Sequence, residues 1–209
     1  MNFELKALSL AAASKLRTDT LIVLISDQFQ AGQDPLSALI SKAIKAKDFS
    51  SKSGQMLQAY ASPGISAAKV IFLGIGKGNP QDIKSAINAL IPSLKSSETQ
   101  ALCLVSTDAG NAQRIQSVLV ALADGTYVYG TTQSKPVSRK LRQVTLALPS
   151  ITSALEAAFK TTVAMISGIE LAKEWANRPA NHATPSMLGK AAQAMAKSAA
   201  ISCEVLGPK

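Results

Sequence analysis

The stretch Lys69-Val70-Ile71-Phe72-Leu73-Gly74-Ile75-Gly76-Lys77-Gly78 decides the fold class. Val70 to Leu73 are apolar at odd and even positions alike. Strand side chains alternate between the two faces of a sheet, so such a run belongs to a central strand covered on both sides. The glycine-rich end leads into a helical pattern. From Gln81 to Lys95, Ile83, Ile87, Leu90, Ile91 and Leu94 fall on one stripe. A strand buried on both faces, followed by an amphipathic helix, is the unit of a layered α/β domain.

The same alternation extends outward. Short β-rich runs occur at 3–8, 20–26, 54–61, 100–106, 143–149 and 201–206. The run at 54–61 is joined to the opening stretch through Ser62-Pro63-Gly64, a turn that predicts an antiparallel pair. A helix over Pro35 to Lys47 begins with Asp34 as cap and proline in the first turn. Another, Gln113 to Asp124, places Ile115, Val118, Leu119 and Leu122 together, with Gly125 as its expected terminator. The expectation is an α/β domain with a largely parallel or mixed sheet flanked by helices.

After Pro149 the pattern changes. Leu155, Phe159, Thr162, Met165, Ile166, Ile169 and Ala172 recur at helical spacing, predicting one helix from Ser150 to Asn177. Such a helix would be roughly 40 Å long, more than one small sheet needs, and suits a connector. A shorter helix is expected from Pro185 to Ala200, then a strand over 201–206 ending in Gly207-Pro208-Lys209.

Composition bounds the function. The chain has 209 residues, 47% hydrophobic and 17% charged, a core-forming balance. Its net charge is +9. That surplus raises nucleic acid as a partner, against the plainer readings of a basic soluble surface or a face that meets an acidic subunit. Lys135 to Arg142 is the densest basic cluster. Pro136 makes its start a loop, and no aromatic residues interleave it for base stacking. Phosphate contact through Lys135, Arg139, Lys140 and Arg142 stays open, beside a solvated loop. Cys103 and Cys203 each lie in apolar, strand-like runs and are expected as buried free thiols of a reducing compartment. The N-terminus lacks a secretory apolar region, and runs such as Leu21 to Ile25 are strand-sized, so a cytoplasmic protein without membrane contact is expected.

Candidate chemistry is sparse. Glu170 and Glu174 stand one helical turn apart, either to share a metal or as an exposed face. A lone histidine, His182, excludes a two-histidine zinc site, and no Gly-x-Ser-x-Gly elbow offers it a serine. Gly74 to Gly78 sits where a phosphate cradle for a nucleotide would sit, yet a tight strand-to-helix turn explains it equally.

The remaining motif is Glu170-Leu171-Ala172-Lys173-Glu174-Trp175-Ala176-Asn177-Arg178-Pro179-Ala180-Asn181, followed by Thr184-Pro185. It resembles the segment joining the two domains of the leucyl aminopeptidase (cytosol aminopeptidase) family. There an Ala-Lys/Arg-Asp-Leu-x-Asn-x-Pro-x-Asn phrase ends a long connecting helix, and Thr-Pro starts the next. Glu174-Trp175 replaces the common Asp-Leu, while the Asn-x-Pro-x-Asn core from Asn177 to Asn181 is intact. The N-terminal residues 1–6, the turn at 73–78 and the basic loop before 143–149 also stand where they would in a bacterial member.

The resemblance implies three segments: a macro-domain-like α/β domain over 1–149, a connecting helix over 150–178, and the first helix and strand of a catalytic domain over 179–209. It implies a full-length enzyme that releases N-terminal amino acids from peptides with two divalent ions, manganese, zinc or magnesium. Those ions are held by Lys, Asp and Glu of motifs such as Asn-Thr-Asp-Ala-Glu-Gly-Arg. This chain stops before the first of them, so no catalytic residue, metal ligand or cofactor is expected here and the chain alone should be inactive. The partners implied are its own catalytic domain, a homohexamer and, in some bacterial members, DNA. Trp175 should then pack the end of the connecting helix. Asn177 and Asn181 should bond backbone around Pro179, which blocks the helix, and Thr184 should cap the next one.

Overall fold

The computed structural model describes residues 1–207, the side chain of Ser198 excepted. Six strands form one sheet: β1 (Asn2–Ala7), β2 (Thr20–Ile25), β3 (Met56–Tyr60), β4 (Lys69–Gly74), β5 (Ala101–Ser106) and β6 (Gln143–Leu148). Their order is β1-β6-β5-β2-β4-β3. Only β3 runs against its neighbour, pairing Leu57 with Phe72 in the expected hairpin with β4; the other pairs are parallel.

Parity sorts the core. From β2, Leu21, Val23 and Ile25 enter one cluster and Ile22 and Leu24 the other. Val70 and Phe72 separate from Ile71 and Leu73 in the same way. The first cluster lies under α1 (Leu10–Ala13) and α2 (Pro35–Lys45), through Ala13, Leu36 and Ile40. The second lies under α3 (Pro80–Ser96), α4 (Ala112–Thr126) and the first part of α5 (Ser153–Ala176). This is the mixed sheet flanked by helices that the sequence implies.

Local chemistry sets the helix starts. Asp34 accepts from the Ser37 amide at 2.9 Å and its hydroxyl at 2.6 Å, and Pro35 occupies the first turn of α2. Asn79 caps α3 through the Asp82 amide, and Asn111 caps α4 through the Arg114 amide. All five expected stripe residues of α3 are buried.

Three expectations are corrected. Gly125 does not end α4; it lies inside the helix. A Cβ there would come within 2.5 Å of Ile91 Cγ1, so the glycine marks close approach of α3 and α4. Residues 201–206 form no strand, since an extended segment needs a neighbour to complete its ladder and none is paired with it among the described residues. Cys203 within that segment is therefore exposed, not buried; Cys103 in β5 is buried as expected. Pro208 and Lys209 of the third expected segment lie outside the described residues.

The chain divides into two compact units. One comprises Met1–Tyr127 and Arg139–Ser167, the sheet and its covering helices. The other comprises Val128–Ser138 and the chain from Gly168 on, including α6 (Pro185–Ala199).

Candidate functional site

Open α/β sheets take ligands beyond the carboxyl ends of their strands, where the chain order reverses. Here that point is the end of β2, with β4 on one side and β5 on the other. An ion pair fills it. Arg114, near the start of α4, pairs with Asp108. The Asp108 carboxylate also accepts from Ser26 Oγ at 3.2 Å, Ser106 Oγ at 3.3 Å and the Gly110 amide at 3.0 Å. Arg114 Nε donates to the Gly78 carbonyl at 3.3 Å, tying the β4–α3 turn to the β5–α4 loop. The space left beside Leu24, Ser106, Gly110 and Arg114 is about 10 Å³, room for about one water.

The glycine-rich turn uses its donors internally. The Gly76 amide donates to Ser51 O at 2.8 Å, the Lys77 amide to Asp82 Oδ2 at 3.1 Å and the Gly78 amide to Ile75 O at 2.8 Å. Asp82 thus holds the position a phosphate would take in a cradle, and a strand-to-helix turn is the reading that the geometry carries. Sequence reasoning missed the Asp108–Arg114 clasp. Its one visible signal is Ser106-Thr107-Asp108-Ala109-Gly110, an Asp-bearing turn directly after an apolar strand.

The four basic candidates differ in what they do. Arg139 turns inward: Nε donates to Thr126 O at 2.9 Å and Nη2 to Ala123 O at 3.1 Å, capping the last turn of α4, and the guanidinium lies 6.0 Å from the Tyr127 ring centre. Lys140 pairs with Glu98 at 2.5 Å. Arg142 is exposed in the same unit, and Lys135 is exposed in the segment 128–138 of the other unit.

At the end of α5, Arg178 stacks over Trp175, 4.0 Å from the ring centre, and its Nη2 pairs with Glu174 at 3.2 Å. Asn177 Nδ2 donates to Lys173 O at 2.8 Å and closes the helix. Pro179 follows, then a 3-10 turn over Ala180–His182 in which Asn181 and His182 are exposed. The Thr184 hydroxyl accepts from the Met187 amide at 3.4 Å and caps α6. Glu174 therefore serves an ion pair along the helix. Between the last third of α5 and the first three turns of α6 lies an open cleft of about 740 Å³, lined among others by Gly168, Leu171, Trp175, Leu188, Ala191 and Met195. The last three recur at helical spacing in the sequence, but their pairing with α5 was not legible there.

Among the described residues, no three His, Cys, Asp or Glu side chains gather to hold a metal ion, and no helix is long and apolar enough to cross a membrane.

Residues 22–136 match the model of the cytosol aminopeptidase family, N-terminal domain. A probable cytosol aminopeptidase of Acidovorax sp. (strain JS42) is 42% identical over 208 residues, covering all of this chain and 42% of that protein. The Polaromonas sp. (strain JS666 / ATCC BAA-500) relative is 43% identical over 212 residues, with the same coverages. The chain thus spans about two-fifths of the length of these relatives. Among solved structures, a mutant tomato leucine aminopeptidase superposes with a TM-score of 0.72 at 18% identity, over 96% of this chain and 43% of that one. The bottromycin maturation enzyme BotP, in complex with Mn, gives 0.65 at 19%, over 90% and 38%. At such identities these structures speak for the fold, while the family match and the curated relatives speak for descent: the chain belongs to the cytosol aminopeptidase family, whose N-terminal domain it carries.

Proposed function

We propose that this chain is the N-terminal, non-catalytic portion of a metal-dependent aminopeptidase that releases N-terminal amino acids from peptides. The observation that carries this is the pairing of a whole-chain match with partial coverage: 42% identity over the entire chain, yet only 42% of the relative. The residues here do not fit the two divalent ions, manganese, zinc or magnesium, that such an enzyme uses, since no ligand cluster forms among the described residues. The peptide-cleaving groups then belong to the remaining length of the relatives. With manganese and a leucine chromogenic substrate, the 209-residue chain should release nothing above background. A chimera that continues it with the Acidovorax relative's sequence beyond the matched stretch should release leucine. Release by the chain alone, or a folded but inactive chimera, refutes the reading.

The same reading gives the domain a place in assembling a cytoplasmic homohexamer. Sedimentation of the chimera as six copies supports that, and a monomer at micromolar concentration counts against it.

The net charge of +9, with Lys135 and Arg142 exposed, favours a second role in contacting nucleic acid. Phosphate contacts of this kind weaken steeply with salt. Duplex retardation at about 50 mM salt that is lost in a Lys135→Ala/Arg142→Ala variant supports it. Absence of retardation ends it.

A further inference from the structure

The sheet ends in two strands with one neighbour each, β1 and β3. At β1, the pairing with β6 fixes which way the backbone groups point. The Asn2 amide donates to Arg142 O at 2.8 Å, and the Leu8 amide to Leu148 O at 2.8 Å. Backbone direction alternates along a strand, so the peptide groups of Glu4 and Lys6 are turned toward β6 as well. The amides and carbonyls of Phe3, Leu5 and Ala7 then point out of the sheet, where no further strand lies among the described residues. An edge of this kind is a template on which another chain can pair.

The side chains of β1 select the partner. Phe3 and Leu5 are half-buried and pack against the core cluster under α3, α4 and α5. Glu4 and Lys6 lie on the other face, both exposed, and the Thr145 hydroxyl donates to Glu4 at 3.1 Å. Suppose that β1 of a second copy runs antiparallel along this edge. Hydrogen bonds then form only in registers that set outward-facing residues opposite one another. Centring the pair on Glu4 puts the two Glu4 carboxylates together, and centring it on Lys6 does the same to two ammonium groups. Like charges directly opposite are destabilising. Centring it on Leu5 sets Glu4 of each copy opposite Lys6 of the other. Those pairs fall at the positions without backbone hydrogen bonds, where cross-strand side chains are closest.

We propose that β1 is a docking edge for a second copy of this chain, joined antiparallel about Leu5. Leu5 exchanges both of its backbone hydrogen bonds with Leu5 of the second copy, and Phe3 exchanges its bonds with Ala7. The two sheets become one. On the apolar face Leu5 meets Leu5 and Phe3 meets Ala7; on the other, the Glu4–Lys6 pairs fix the register. A two-fold axis through Leu5 closes the contact at two copies. The opposite edge offers no such selection, since Met56 to Tyr60 of β3 includes no charged residue. The pairing does not rest on the aminopeptidase reading, because every group in it belongs to β1.

Charge exchange tests both the edge and the register. In sedimentation equilibrium the 209-residue chain should form a reversible dimer, and the Leu5 and Ala7 amides should exchange more slowly as concentration rises. Glu4→Lys and Lys6→Glu each set like charges opposite one another, and each should weaken the dimer at least about tenfold. An equimolar mixture of these two variants should associate again, because the lysines of one copy then face the glutamates of the other. Ala7→Pro removes an outward amide and leaves the bonds to β6 in place. It should weaken the dimer while circular dichroism still shows a folded chain. A chain that stays monomeric at millimolar concentration overturns the inference. So does a dimer indifferent to all three substitutions, which places the contact elsewhere, and so do charge variants that stay apart when mixed.

Discussion

Replacing Gly125 by alanine sets two effects of opposite sign against each other. Within a helix, alanine is favoured over glycine by about 1 kcal/mol, because glycine loses more backbone freedom on folding. The added Cβ, however, would lie 2.5 Å from Ile91 Cγ1 and 2.7 Å from Cδ1. Carbon atoms rest comfortably at about 3.5–4.0 Å, so one helix or the other must give by about 1 Å. Ile91 is 7% exposed. As a β-branched residue in a helix it has one strongly preferred χ1 rotamer and cannot swing aside cheaply. Overpacking of this sort costs about 1–3 kcal/mol. The clash therefore outweighs the propensity gain by about 1 kcal/mol, which for a chain of this size lowers the melting temperature by about 2–4 °C. Far-ultraviolet circular dichroism during heating, with urea titrations beside it, measures this. Ile91→Ala removes both clashing carbons and alone should cost about 2–5 kcal/mol. Combined with Gly125→Ala it should cost about 2 kcal/mol less than the sum, because the clash is gone and the new methyl fills part of the cavity. A raised melting temperature for Gly125→Ala, or strict additivity with Ile91→Ala, refutes this account of the glycine.

At Gly74 the obstacle is backbone: a Cβ would run into Lys52 O and lie 2.7 Å from Ser51 O, so Gly74→Ala should destabilise by about 3 kcal/mol or more in urea unfolding. Arg139→Ala removes two charge-assisted bonds to the end of α4 and should cost about 1.5–3 kcal/mol, with Arg139→Lys restoring little because an ammonium cannot span both carbonyls. Lys140→Ala, at an exposed ion pair, should stay within about 1 kcal/mol of wild type in the same assay. Burial pushes the Cys103 thiol up to about 11 from 9.0. The unfolded chain then loses this proton first as pH rises, so the stability from the neutral buried thiol is complete below pH 9 and is lost between 9 and about 11. Cys103→Ala should flatten that fall in denaturant titrations, and thiol labelling of the folded protein near neutral pH should modify Cys203 alone.

Elements whose signal is local were legible in the sequence. Val70 to Leu73 announced a doubly covered strand, Asp34-Pro35 stood at a helix start, and the α3 stripe was buried entire. Features set by distant partners were not. Four-residue α1 is too short to show a period. Gly125 looks like a helix end until Ile91, on another helix, is brought against it. Residues 201–206 have strand composition, but a strand exists only where a neighbour accepts its bonds, and composition cannot supply one. The basic segment shows the same limit at a candidate site. Lys135, Arg139, Lys140 and Arg142 are alike in sequence, yet Arg139 serves the helix behind it, and only folding reveals which charges face solvent.

The strand order also sets a timetable. β1 ends at Ala7 but pairs only with β6, which begins at Gln143. A ribosome adds about 5–20 residues per second, so β1 waits on the order of ten seconds before its partner exists. Over that interval β2, β4 and β5 can assemble with their helices, while Phe3 and Leu5 have no sheet to join. β1 is thus a strand that cannot pair until late in synthesis, and β6 is the element whose arrival lets it join the sheet.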